Sequence, residues 1–127
     1  MDHDVPVIAA RARGGQLRAF AFGYSCHTTA LSGETVNGDY AGFAQIELEK
    51  SYLGAVALFV QNCGGDANPL PRVMRSNGPE AIGLAEMYGK ILAEGVRQVL
   101  DRKMLPLDGP IRASMSRTLV ASTLSRS

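Results

Sequence analysis

Cysteine and net charge are both scarce in this sequence, and each scarcity removes a class of protein. The only two cysteines, Cys26 and Cys63, stand at no metal-motif spacing and define neither a zinc knuckle nor a disulfide framework. Domains that grip a phosphate backbone gather a basic excess on one face. Here the net charge is only +1, so no nucleic-acid partner is expected. The one local basic cluster, Arg11, Arg13 and Arg18, reads as a solvated strand face. No apolar run approaches the roughly 20 residues that span a bilayer, so no transmembrane segment is expected. The opening MDHDVPV has neither the basic start nor the apolar core of a signal peptide, which leaves localisation open. A carboxylate pair, a Gly-x-Ser-x-Gly elbow and an aromatic stacking platform are also missing. The glycine loop described below lacks the Lys-Ser/Thr pair of a phosphate-cradling loop, which argues against a nucleotide site.

What is present is enough for a core. With 46% hydrophobic residues among 127, the chain reads as a single domain over 1–127, or as an internal part of a larger one. From Val5 to Tyr24 the pattern alternates around Gly14-Gly15, which predicts a β-hairpin, because paired glycines supply the positive φ of a tight turn. A polar loop starts at His27 and runs through Asn37-Gly38. Asp39 is then a candidate N-cap for a helix carrying Ala41, Ala44, Leu48 and Tyr52 on one stripe, ended by Gly54. Ala55 to Val60 is a continuous apolar run of strand length, as expected of a parallel strand covered on both faces.

Gly78-Pro79-Glu80 opens the longest predicted helix, with proline suited to the first helical position and an acid suited to the dipole. Ile82, Ala85, Tyr88, Leu92, Val96 and Val99 form its expected core stripe, and Gly83, Gly89 and Gly95 imply close packing against a sheet. Ile111 to Val120 is a candidate last strand. The order predicts an α/β fold: a mixed sheet with an N-terminal hairpin, then alternating helix and strand, with helices packed on the sheet. Ligands in such folds sit beyond the carboxyl ends of the strands. Both His27 and the loop QNCGGDANP (61–69) fall there, so the two loops are expected to be neighbours.

Each candidate has a functional and a structural reading. His27 suits a metal ligand or general base, or is simply a loop residue. Gly64 and Gly65 would let a ligand approach the backbone, or build an anion nest. Asp66 could orient a metal-bound histidine or accept a substrate proton. The alternative is a tight turn in which Asp66 and Asn68 satisfy loop amides. Cys63 near His27 could be a thiol nucleophile, or a small residue at a strand end.

Three stretches together resemble the neutral/alkaline (non-lysosomal) ceramidase family of zinc-dependent amidohydrolases. FGYSCHTTALSG is similar to the family segment whose histidine binds zinc, which falls on His27. GDYAGFAQIELEK resembles the family's helix start, at Asp39, Gly42, Phe43, Ala44 and Glu49. LFVQNCGGDANP resembles its active-site loop, at Phe59, Gln61, Gly65, Asp66 and Pro69. The family's catalytic serine falls on Asn68, and its other zinc ligands have no counterpart in this chain.

The resemblance implies an internal segment of a ceramidase-like hydrolase, or a truncated relative, that cleaves an N-acyl amide with a zinc-bound water. It implies His27 as a metal ligand, Asp66 beside it, and Asn68 as donor to a developing oxyanion. Gly64, Gly65 and Thr29 would form the substrate loop. The implied cofactor is zinc, the implied partner a small-molecule or lipid amide, and the implied location secreted, periplasmic or membrane-associated. A homo-oligomer in which a second copy completes the site is a further expectation. The alternative, motivated by Asn68, is a non-catalytic binding or structural relative.

Overall fold

A computed structural model describes residues 3–32, 36–71 and 78–118. Two strands open it, β1 (Val7–Arg11) and β2 (Leu17–Tyr24), paired antiparallel with an irregularity between Ala10 and Arg11. The turn between them uses Gly15 at φ +84°. Its carbonyl accepts from the Arg11 guanidinium at 3.1 Å. The glycine pair therefore makes the expected hairpin, since only glycine takes this φ without steric penalty.

Helix α1 (Asp39–Ser51) follows, then β3 (Val56–Gln61) and the 22-residue α2 (Pro79–Leu100). The sheet order is β1-β2-β3, and β3 runs parallel to β2 with Ala19 opposite Val56 and Tyr24 opposite Gln61. The fold is thus α/β: a three-stranded mixed sheet, hairpin first, with two helices packed on it. Phe20, Phe22 and Ala57 of the sheet meet Tyr40, Ala44 and Leu48 of α1 and Leu92, Ala93 and Val96 of α2 in one core. On the outer edge of β3, the Gln45 amide donates to the Ala57 carbonyl at 2.7 Å, and the Ala57 amide donates to Glu49 at 3.1 Å. Side chains of α1 thereby cover backbone groups that an edge strand would leave unpaired.

Five sequence expectations change. β3 is covered on one face only: Val56, Leu58 and Val60 stay about half exposed, because both helices pack on the other face. The buried stripe of α2 is Ala81, Ala85, Gly89, Leu92, Ala93, Val96 and Leu100, while Ile82 is 42% exposed. That phase follows α1, and Gly89 shows why: a Cβ there would lie 2.5 Å from Phe43 Cβ and 2.8 Å from the Tyr40 carbonyl oxygen. The glycine admits a helix rather than a sheet, and Gly83 meets nothing within 4 Å. Asp39 is not the N-cap, since Gly38 holds that position. Finally, 111–118 form no strand and are exposed; 119 and 120 lie outside the described residues. No described strand pairs with the segment.

Candidate functional site

Parallel pairing of β2 and β3 puts both carboxyl ends at one edge of the sheet, so the loops that leave them emerge side by side. The first carries His27 and Thr29, the second Gly64, Gly65, Asp66 and Asn68. Three hydrogen bonds join them. The His27 amide donates to the Ala67 carbonyl at 2.9 Å. His27 Nε2 lies 3.3 Å from the Gly65 carbonyl, and the Thr29 hydroxyl donates to Asn68 Oδ1 at 3.3 Å.

The chemistry of each contact constrains the groups in it. A carbonyl only accepts, so His27 Nε2 carries the proton at this contact and, in the neutral ring, Nδ1 holds the lone pair. It is the Gly65 carbonyl that meets the His27 ring, a role often taken by the carbonyl behind a ligating histidine. Asp66 is exposed at the crest of the loop. Asn68 accepts from Thr29 through Oδ1, and the N–H donors of its amide are on Nδ2.

Glycine is required in this loop for space rather than for φ. A Cβ on Gly64 would lie 2.5 Å from the Cys26 amide nitrogen and 2.7 Å from the Ser25 carbonyl carbon, whereas one on Gly65 meets nothing within 4 Å. Gly64 therefore lets the second loop lie directly on the backbone of the first. Ala67 closes the turn by donating to the Gly64 carbonyl at 3.0 Å.

Behind this surface the first loop is tied to the core. The Cys26 carbonyl accepts from Tyr40 Oη at 2.7 Å and from Gln61 Nε2 at 3.0 Å. Burial raises the Tyr40 pKa above its ordinary value, and the neighbouring Cys26 thiol adds to this. Burial likewise pushes the Cys26 thiol up, so this buried sulfur stays protonated and is poorly suited to nucleophilic work. Sequence reasoning gave Tyr40 no role at the site. Its position inside an apolar helix stripe carries no signal for a hydroxyl aimed at a loop carbonyl.

The described residues do not make a zinc site by themselves. No group of three or more His, Cys, Asp and Glu among them could hold a metal ion, and one imidazole is too few for the four-coordinate shell zinc takes.

An open trough of about 420 Å³ begins at Leu31, just past the His27 loop, and is lined by Val36, Phe43, Ile46 and Ile82 among others. No known family model matches the chain, and no curated protein sequence does. Among solved structures, it is similar to the neutral ceramidase from Pseudomonas aeruginosa, with a TM-score of 0.61 and 19% identity over 72% of this chain. A ceramidase complexed with C2 gives the same TM-score at 16% identity, again over 72% of this chain. The chain spans only about 16% and 15% of the lengths of those two proteins. The likeness is one of fold: this chain has a ceramidase-like fold.

Proposed function

We propose that the chain is part of a ceramidase-like hydrolase and that its two apposed loops form one side of the site where an N-acyl amide is cleaved. The observation that carries this reading is the clasp itself. His27, Thr29, Gly65 and Asn68, which sequence motifs single out from two separate stretches, are hydrogen-bonded to one another at the carboxyl edge of the sheet.

In this reading, amide hydrolysis adds water across the C–N bond and releases a carboxylate and an amine. Asn68 Nδ2, oriented by Thr29, donates to the carbonyl oxygen as negative charge develops on it. Asp66 at the crest handles the proton that passes to the departing amine. The Leu31–Ile82 trough takes the apolar chain of a lipid amide. His27 offers Nδ1 as one ligand of a zinc ion whose other ligands come from outside the described residues or from a second copy of the chain. That the structural neighbours are ceramidases supports an N-acyl amide as the substrate.

Release of fatty acid from a short-chain N-acyl sphingosine tests the proposal. Replacing Asn68 by alanine is expected to lower kcat by about 10²–10³-fold, the usual loss when one oxyanion donor goes; unchanged turnover would remove Asn68 from the site. Asn68 also supports a second reading, because an amide cannot replace a serine as nucleophile. A protein that binds the lipid amide and never cleaves it is that non-catalytic relative.

A further inference from the structure

Asp39 is a charged side chain only 5% exposed, and its backbone stands at φ +50°. That left-handed conformation is costly for a residue with a Cβ and persists only where surrounding contacts over-determine it. The contacts are specific. Asp39 Oδ1 accepts from the Ala30 amide at 3.2 Å and from the Tyr40 amide at 2.7 Å, while Oδ2 accepts from the Leu31 amide at 2.7 Å. The Asp39 amide in turn donates to Asn37 Oδ1 at 3.0 Å. An acid serving only its own helix would bond to the amides of that helix. Two of these three donors instead belong to the His27 loop.

The other end of the same loop segment is held from the core. Tyr40, the next residue of α1, and Gln61, the last residue of β3, both donate to the Cys26 carbonyl. Residues 27–29 are therefore fixed on both sides: at Cys26 by Tyr40 and Gln61, and at Ala30 and Leu31 by Asp39. We infer that Asp39 is a positioning residue which, with Tyr40 and Gln61, holds the His27 ring against Gly65 and the Thr29 hydroxyl against Asn68. The inference rests on the reading of these loops as a hydrolytic site. Asp39 acts through the loop backbone and touches no reacting atom.

Amide hydrogen exchange of the whole chain, wild type beside Asp39→Asn, tests it. Asparagine keeps one acceptor oxygen and replaces the other by a donor, so at least one loop amide loses its partner. The decisive position is the His27 amide, whose bond to Ala67 crosses between the loops and involves no atom of Asp39. Exchange at His27 is expected to quicken about tenfold, the scale of one lost charge-assisted bond, while Ala93 and Val96 in α2 stay at wild-type rates. Faster exchange at Ala30 and Leu31 with His27 unchanged would overturn the inference, because Asp39 would then hold only its immediate partners. If Asp39→Asn does not fold, Tyr40→Phe decides the matter. It removes the hydroxyl's bonds to Cys26 and leaves the acceptors of Asp39 in place, and an unchanged His27 rate there would equally overturn the claim.

In a turnover assay with the N-acyl sphingosine, Asp39→Asn is expected to lower kcat more than it alters KM. A wild-type protein that binds the N-acyl sphingosine and never turns it over would favour the non-catalytic reading and leave the exchange comparison to judge the positioning role alone.

Discussion

At the scale of single residues, the site depends on how closely two backbones approach. Gly64 lies so near Cys26 that a methyl group would overlap main-chain atoms, which cannot rotate away as a side-chain tip can. Gly64→Ala is therefore expected to push the loops apart, lowering stability by about 1–3 kcal/mol, as overpacking does. Gly65→Ala, facing open space and needing no left-handed backbone, is expected to stay within about 0.5 kcal/mol of wild type. Urea denaturation of the two variants side by side checks the contrast, and equal losses would mean that the loops are not clasped at Gly64. The sequence made both glycines conspicuous. It could not rank them, because the atom that Gly64 must avoid belongs to a residue far away along the chain.

Among elements, the same distinction between local and distant causes decides what was legible. Gly14-Gly15, Pro79 at the start of α2, and the apolar run into Gln61 are local signals, and hairpin, helix and strand formed where they stand. The covered face of β3 was not local. Its all-apolar run suits burial on both sides, yet Val56, Leu58 and Val60 face outward, since helix placement and not strand composition selects the buried face. The phase of α2 was similarly set by its neighbour, through Gly89 against Tyr40, Phe43 and Ala44. Intrinsic propensity alone says that Gly89→Ala gains about 1 kcal/mol of helix stability. The crossing with α1 reverses the sign, and thermal unfolding is expected to show a net loss of about 1–3 kcal/mol. A raised Tm would show that the helices do not meet as closely as Gly89 requires.

For the molecule as a whole, the parallel β2-β3 pair is what turns separate motifs into one surface. The meeting of the loops could be foreseen from strand order, because carboxyl ends of parallel strands share an edge. The brace of Asp39, Tyr40 and Gln61 behind them could not, since it rests on a left-handed backbone and a buried hydroxyl that no spacing betrays. The chain spans about 16% of its ceramidase neighbour, and among its described residues no group of three or more His, Cys, Asp and Glu could hold a metal ion.

Binding by the loops is therefore a more direct test of the account than catalysis. The measurement is an NMR titration of the chain with a water-soluble short-chain N-acyl sphingosine, followed at every backbone amide. The account predicts shifts concentrated at His27, Thr29, Gly64, Gly65 and Asn68 and continuing into the trough at Leu31 and Phe43. Shifts confined to the outer face of α2, or none at all from a folded protein, would contradict it.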